Sequence, residues 1–178
     1  MAVLEIIRMG HPTLRQVARE LTADEIASGS TARLIEDMRE TLHAYGGIGL
    51  AAPQVNVPLR LAIIEMEGGP SSYGEVEGHD FGVYINPVLR AQPGPEAGYW
   101  EGCLSIPGMR GYVERPQHLL VDYLDAAGAP QSLEAKGFLA TVFQHEFDHL
   151  NGTLYIDRLS STALLAFDEE YDQFIAEN

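Results

Sequence analysis

The strongest chemical pattern in the sequence is His145-Glu146-Phe147-Asp148-His149, near the end of the last strongly apolar segment. On a helix, His145 and His149 lie on one face with roughly 6 Å between their β-carbons, so both imidazoles can bind one cation. Glu146 lies beside the pair, where its carboxylate can act on water without binding the metal itself. Two histidines and a carboxylate on one buried helix are hard to satisfy without a cation. The pattern predicts a metal site that needs a third protein ligand and an open position.

The residues alone leave that third ligand open. One metalloprotease pattern puts a histidine six residues after the second one; Gly152 matches its glycine, but Tyr155 occupies the ligand position and the pattern fails. Glu169 lies at a separation suited to a thermolysin-like peptidase, within an acidic run typical of a solvated face. Cys103, the single cysteine, is the other candidate, because a thiolate binds zinc or iron strongly.

Two helices are predicted from the spacing of apolar residues. The metal-binding helix begins at Gly137, is apolar nearly all round and ends at Gly152, so we expect it to be buried. An earlier helix is capped by Ser30 or Thr31 and is ended by the glycines at 46–47. Its apolar face consists of Leu34, Ile35, Met38, Leu42 and Tyr45.

Strand signals surround these helices. They cover residues 59–65, 81–85, 112–114, 119–124 and 130–135, and the second strand is expected to continue beyond a bulge at Asn86-Pro87. The polar, glycine-rich segment 68–80 is predicted to be an exposed loop in which His79 is solvated. The tail, at about 160–178, is predicted to be an acidic helix. Strand signals around one buried helix indicate an α+β fold.

Length and charge exclude several classes of protein. A chain of 178 residues is predicted to form a single domain spanning 1–178. It carries 26 acidic against 11 basic residues, a formal charge of -15, which argues against direct binding of nucleic acid or of an anionic membrane. The single cysteine excludes an internal disulfide and fits a reducing compartment. The chain shows no secretion signal and no apolar run of the roughly 20 residues that span a bilayer, so we expect it to be cytoplasmic.

Three motifs, in this order and spacing, resemble the signatures of the peptide deformylase family. They are Gly47-Ile48-Gly49-Leu50-Ala51-Ala52-Pro53-Gln54, Glu101-Gly102-Cys103-Leu104-Ser105 and Gln144-His145-Glu146-Phe147-Asp148-His149-Leu150. The similarity extends to residues 10–15 and to Asn86-Pro87, and so runs from near the start of the chain to about Leu159. Agreement of three separate motifs is far more specific than any one of them.

The resemblance implies an activity and a role for each matching residue. The family removes the formyl group from the N-terminal formyl-methionine of new proteins and releases formate. The implied metal ligands are Cys103, His145 and His149, with water as a fourth ligand. Glu146 is implied to be the general base and then the general acid. The side-chain amide of Gln54 and the backbone N–H of Leu104 are implied to stabilise the oxyanion.

The resemblance also places parts of the chain beside the substrate. Backbone groups of Ile48, Gly49 and Gly102 would pair with the substrate peptide as strands do. The methionine side chain would enter an apolar pocket whose candidate members are Ile48, Tyr99, Phe138 and Val142. Arg110 and Arg115 are candidates to brace the cysteine loop by pairing with Glu101, with an ordinary surface position as the alternative.

The remaining expectations concern the fold, cofactor and partners. The resemblance implies antiparallel or mixed sheets packed around the central metal-binding helix, in a monomer. One divalent metal ion is implied: iron(II) in the cell, with zinc, nickel or cobalt as alternatives. Formyl-methionyl nascent peptides are the implied partners. Some family members dock on the ribosome through a basic C-terminal helix, which the acidic tail cannot imitate. The alternative functions are a thermolysin-like metallopeptidase using Glu169 and a non-catalytic metal-binding homologue.

Overall fold

The computed structural model describes residues 2–71 and 74–176. The α-helices are α1 (Ala23–Ile26), α2 (Gly29–Tyr45), α3 (Phe138–Leu150) and α4 (Asp168–Phe174). The first strands are β1 (Gly49–Ala51), β2 (Leu61–Met66), β3 (Gly69–Ser71), β4 (Gly74–Val76) and β5 (His79–Ala91). The later strands are β6 (Glu96–Cys103), β7 (Ile106–Pro116), β8 (His118–Leu124), β9 (Pro130–Lys136) and β10 (Leu165–Phe167). Short 3-10 turns occupy Pro12–Arg15, Ala52–Val55, Tyr155–Arg158 and Thr162–Leu164.

The large sheet is antiparallel, with strand order β1-β2-β5-β8-β9. Its strand β2 is apolar almost throughout because a helix covers each face. Leu61 and Ile63 belong to a core cluster with residues of α2, whereas Ala62 and Ile64 pack with residues of α3. Alternate residues of a strand point to opposite faces, so β2 lies between the two helices.

The small sheet, with order β10-β7-β6, completes the enclosure of α3. Strands β6 and β7 form a hairpin whose turn is Leu104-Ser105, with a register shift between Gly102 and Cys103. Helix α3 contacts β1, β2, β5 and β9 of the large sheet and β7 of the small one. The expected α+β fold, with sheets around a central helix, is confirmed, and both sheets are antiparallel.

Most predicted strands are present and are longer than predicted. Those predicted at 81–85, 112–114, 119–124 and 130–135 correspond to β5, β7, β8 and β9, and the one at 59–65 corresponds to β2. Strand β5 continues past Asn86-Pro87 with a register shift between Ile85 and Val88, as the bulge prediction required. Helix α3 follows Gly137 as predicted, and Gly152 has a positive φ of 69° just after its end.

The predicted cap of α2 is wrong. Ser28 caps this helix: its hydroxyl accepts from the backbone N–H of Thr31 at 3.3 Å. Thr31 cannot act as the cap because it is buried within the first turn, where its own hydroxyl donates to the carbonyl of Glu25 at 2.7 Å. The predicted stop is correct, since Gly46 is left-handed with φ 68°.

The prediction that His79 is solvated is also wrong. His79 begins β5 and is half-buried, with Nε2 2.6 Å from the Tyr84 hydroxyl and its ring edge-on to Phe143 at 5.9 Å. Burial lowers the pKa of His79. The rest of the segment predicted as a loop contributes the β3–β4 hairpin, whose residues 72–73 lie outside the described residues.

The tail is not one long helix. Residues 162–164 form a 3-10 turn, Leu165–Phe167 form β10, and the helix is limited to Asp168–Phe174. The tail departs from the predicted helix because β10 pairs with β7, and that extended pairing takes the backbone donors and acceptors that a helix would use. No helix among the described residues is long and apolar enough to cross a membrane.

Candidate active site

The candidate metal ligands come together from two elements. His145 and His149 lie four residues apart on α3, and Cys103 is the last residue of β6. The ligand atoms of the three side chains lie within 4.8 Å of one another, and Cys103 Sγ is 3.4 Å from His149 Nε2. One thiolate and two imidazoles around a point are a donor set that suits zinc or iron(II).

Glu101 orients the first histidine. Its Oε2 is 2.8 Å from His145 Nδ1, and it is 4% exposed. With Nδ1 held by the carboxylate, Nε2 of His145 is the nitrogen left to face Cys103. Glu101 lies two residues before Cys103 on β6, so strand alternation brings both side chains to the same face.

A chain of buried ion pairs supports Glu101 from behind. Arg115 donates Nε to Glu101 Oε1 at 2.6 Å and Nη2 to Oε2 at 3.0 Å, and its Nη1 reaches Asp148 Oδ2 at 2.8 Å. Arg158 donates Nη2 to the other oxygen of Asp148 at 2.6 Å. The predicted pairing of Arg115 with Glu101 is therefore present. The pairing predicted for Arg110 is wrong, because Arg110 Nε donates to Asp168 Oδ1 of α4 instead.

Glu146 lies against the glycine of β1. A β-carbon added to Gly49 would come within 2.5 Å of Glu146 Oε1, so only glycine leaves room for the carboxylate there. Glu146 is 5% exposed, and its Oε2 has no hydrogen-bond partner among the described residues. Burial raises the pKa of Glu146 to about 7. A buried carboxylate oxygen without a partner is costly unless it serves a ligand or a reaction.

Gln54 directs its amide at the cysteine loop. Its Oε1 accepts from the backbone N–H of Ala51 at 2.8 Å, which turns Nε2 toward Ser105 Oγ at 3.3 Å and Cys103 Sγ at 3.6 Å. The small residues before Gln54 form β1 and a 3-10 turn, and this turn carries the amide into the site. Leu104 follows Cys103 in the β6–β7 turn and lines the same cavity.

The pKa values of the two histidines shift in opposite directions. Burial lowers the pKa of His145, but the hydrogen bonds that its ring makes to Cys103 and Glu101 raise it more, so that it lies well above its usual value. Burial and the charge of His145 hold the pKa of His149 well below its usual value. The Cys103 sulfur and the two imidazoles, with the partnerless Glu146 oxygen beside them, fit a divalent metal ion by donor type and position.

The site opens into a cavity of about 640 Å³. The predicted site residues that line it are Ile48, Gly49, Gln54, Gly102, Cys103, Leu104, Phe138, Val142, His145 and Glu146. His149 lies behind them, nearly fully buried. Tyr99 is not among the lining residues: its ring packs on Phe138 at 5.2 Å, so it supports the pocket wall from outside.

Tyr155 and Glu169, the two alternative positions for a third metal ligand, lie outside the ligand group. Tyr155 is buried, lies parallel to the His145 ring with centroids 6.1 Å apart, and donates its hydroxyl to the Met109 carbonyl at 3.3 Å. Glu169 is exposed on α4 and is not part of the metal-ligand group found among the described residues.

Sequence reasoning missed the hydrogen bond that the Glu101 carboxylate accepts from His145 and the ion pairs of Asp148 with Arg115 and Arg158. Both had a signal: strand alternation for Glu101, and the three-residue spacing from His145 to Asp148 on α3. Arg8 and Asp168, which also line the cavity, were missed as well. No sequence signal marked them, because they come from distant parts of the chain.

Comparison with known proteins decides the family. The sequence model of the polypeptide deformylase family matches residues 3–164. The chain belongs to this family. Peptide deformylases are metal-dependent enzymes, so the chain is an enzyme and its Cys-His-His cluster has the composition of a metal centre.

Relatives match over most of their length. A peptide deformylase of Leptospira biflexa is 40% identical over 172 residues, covering 97% of this chain and 96% of that protein. Peptide deformylase 1 of Nitrosomonas europaea is 44% identical over 155 residues, covering 87% and 86%. The class I type b peptide deformylase of Acinetobacter baumannii, solved with Met-Ala-Ser bound, has a TM-score of 0.84 at 34% identity, covering 89% and 99%. The enzyme of Synechococcus elongatus with actinonin has a TM-score of 0.81 at 37% identity, covering 97% and 86%.

Proposed function

We propose that this chain is the metal-dependent hydrolase that removes the N-formyl group from the formyl-methionine of newly made proteins and releases formate. The observation that carries the proposal is that the Cys103, His145 and His149 donor atoms lie within 4.8 Å of one another at the wall of a cavity that the Glu146 carboxylate and the Gln54 amide also line. A purely structural metal site needs neither of the last two.

A formamide is a poor electrophile, and water at neutral pH is a poor nucleophile. A divalent cation held by the three donors would polarise the formyl oxygen and make an attacking water more acidic. In the proposed reaction Glu146 takes the proton of the attacking water and delivers a proton to the leaving nitrogen. Its burial suits both steps, since a carboxyl whose pKa is raised to about 7 can both accept and donate a proton near neutral pH.

Two donors are proposed to stabilise the oxyanion. Gln54 Nε2 is held in orientation by the Ala51–Oε1 hydrogen bond, so no reorganisation is needed when charge develops. The backbone N–H of Leu104 is the second donor proposed. Loss of one such donor typically costs about 3 kcal/mol in the transition state.

The two sheets each offer a free edge for the substrate. Gly49 lies on β1, which ends the large sheet, and Gly102 lies on β6, which ends the small sheet. An extended peptide between these edges can pair with both, and glycines let its backbone come close. The methionine side chain is proposed to contact Ile48, Phe138 and Val142. The Met-Ala-Ser complex of the Acinetobacter relative supports a peptide of this kind as ligand.

Iron(II) is the proposed metal in the cell, with zinc, nickel and cobalt as alternatives for the same donor set. Formate release should therefore be assayed under anaerobic conditions with iron(II) and, separately, with nickel(II). A protein that binds either metal and releases no formate with both would favour a non-catalytic homologue.

The decisive variant is Glu146→Gln. We expect formate release from formyl-Met-Ala-Ser to fall by a factor of about 10² to 10⁴, the usual contribution of general acid–base catalysis, while the metal content stays at the wild-type level. Glu169→Gln removes an exposed carboxylate outside the site and serves as the matched control. Full activity of the Glu146 variant would refute the mechanism.

The metallopeptidase alternative predicts a different ligand. If Glu169 were the third ligand, Glu169→Gln would release the metal and Cys103→Ala would retain it. The proposed site predicts the opposite, because Cys103 Sγ lies 3.4 Å from His149 Nε2 and Glu169 is exposed on α4. Metal content after dialysis separates the two.

We propose a cytoplasmic, monomeric enzyme formed by one domain that spans 1–178. Contact with the ribosome through a basic C-terminal helix is not proposed, because α4 contains Asp168, Glu169, Glu170 and Asp172 and lacks Lys and Arg. Sedimentation of the purified protein alone tests whether it is a monomer, and sedimentation with ribosomes tests whether it binds them.

A further inference from the structure

The partly exposed side chains of Arg8, Arg110 and Asp168 mark the mouth of the cavity, and Asp168 comes from the C-terminal segment, residues 165–174. Strand β10 pairs with β7 in the register Ala166↔Arg110 and Phe167↔Met109. This pairing brings the next residue, Asp168, to the cavity wall. The family model matches residues 3–164, so β10 and Asp168 lie outside the segment that it matches.

Asp168 forms an ion pair with Arg110 at the mouth. Arg110 Nε donates to Asp168 Oδ1 at 3.1 Å, with side chains 24% and 43% exposed, and both line the cavity. The guanidinium also lies 5.2 Å from the centre of the Tyr171 ring, which packs on Trp100 at 5.2 Å. The C-terminal segment thus holds the arginine by two contacts.

The ion pair lies next to the proposed path of the substrate. Arg110 is directly opposite Gly102 in the β6–β7 register, and Gly102 is on the sheet edge proposed to pair with the peptide. In the proposed binding mode the peptide pairs with the sheet edge that contains Gly102, so the residues that follow the formyl-methionine pass close to Arg110. The other charged side chain that lines its outer part is Arg8, which is exposed. Among the described lining residues, the acidic side chains other than Asp168 are Glu101 and Glu146, which are nearly fully buried, so removal of the Asp168 carboxylate would leave Arg8 and Arg110 as the exposed charges of the mouth.

We propose that Asp168 is a specificity-determining residue: by neutralising Arg110 it favours peptides with Lys or Arg after the formyl-methionine over peptides with Asp or Glu. This inference rests on the proposed function. Removing the carboxylate weakens the attraction for a basic residue and frees Arg110 to attract an acidic one, so both changes move the preference in the same direction.

The test compares formyl-Met-Lys-Ser with formyl-Met-Glu-Ser, and then the same charges one residue later, with formyl-Met-Ala-Ser as reference. Full-length, metal-loaded protein is used, and the readout is the ratio of kcat/KM for the basic and acidic peptides. Asp168→Asn should lower this ratio by about twofold to fivefold, the scale of exposed charge pairs. The difference should shrink in 0.5 M salt because the mouth is open to solvent.

Two variants act as controls. Asp168→Glu keeps the charge and should keep most of the wild-type ratio. Glu169→Gln removes a neighbouring exposed charge that does not line the cavity, and it should leave the ratio near that of the wild type.

An unchanged ratio in Asp168→Asn, or an equal change in Glu169→Gln, would overturn the inference and leave deformylation standing. Failure of the wild-type protein to release formate from formyl-Met-Ala-Ser would instead overturn the proposed function and this inference with it.

Discussion

Replacement of Arg115 by glutamine should destabilise the protein far more than replacement of a surface arginine. Arg115 is 4% exposed and makes three hydrogen bonds to two buried carboxylates, two to Glu101 and one to Asp148. Without it, Asp148 still pairs with Arg158, but Glu101, which is 4% exposed, loses both hydrogen bonds from the guanidinium and keeps its contact with His145. Removing one partner of a buried ion pair costs about 3–5 kcal/mol, because the other charge is left uncompensated.

For a chain of this size each kcal/mol lowers Tm by about 2–4 °C, so Arg115→Gln should lower Tm by about 6–20 °C. The matched control is Arg158→Gln. Arg158 is half exposed and Asp148 keeps Arg115, so its loss should cost no more than about 1 kcal/mol. Urea unfolding of both variants, with and without metal, measures the two costs. If Arg115→Gln lowers the free energy of unfolding no more than Arg158→Gln does, the uncompensated charge of Glu101 is not what makes Arg115 important for stability.

The same variant should also weaken metal binding, because Glu101 orients His145. Loss of such a supporting contact typically lowers metal affinity by about 10- to 100-fold, which competition with a chelator measures. A double variant, Glu101→Gln with Arg115→Met, removes both charges. It should recover part of the stability but none of the affinity. Recovery of affinity in the double variant would show that Glu101 does not orient the histidine, and this variant keeps the test available if Arg115→Gln fails to fold.

Three other changes have defined outcomes. Gly49→Ala would place its β-carbon 2.5 Å from Glu146 Oε1, so kcat should fall about 100-fold with metal content unchanged; an unaltered kcat would contradict the close approach. Hydrogen bonds from Arg39 hold the pKa of Glu65 at about 2, so this pair stabilises the fold fully above about pH 4.5 and its contribution is lost as the pH falls through about 2. Glu65→Gln should therefore be less stable than wild type in urea at pH 7, and a gap of the same size at pH 2 would contradict the assignment. Metal at a hundred times its Kd should add about 2.7 kcal/mol, or roughly 5–11 °C in Tm, and Cys103→Ala should lose this metal-dependent increase.

Sequence reasoning succeeded where the signal is local. Helix α3 and strands β8 and β9 were predicted from the spacing of apolar residues and from the glycines that flank them, all within a few residues of each position. It failed for His79, which lies in a polar, glycine-rich stretch but packs against Tyr84 and Phe143. It also failed for the tail, where pairing with β7 overrides the helical pattern of 160–167. In both places, contacts with distant residues outweigh the preference of the local sequence.

The sequence by itself determined the groups that carry the chemistry. His145 and His149 lie on one face of one helix because an α-helix has 3.6 residues per turn, and Glu146 follows His145 directly. The cysteine motif is equally local. Only the tertiary structure decided which charged side chains pair: Arg115 rather than Arg110 reaches Glu101, and Arg110 pairs with Asp168 at the cavity. The reason is physical, since partners for buried charges are chosen by the packing of whole sheets around α3, which no short stretch of sequence contains.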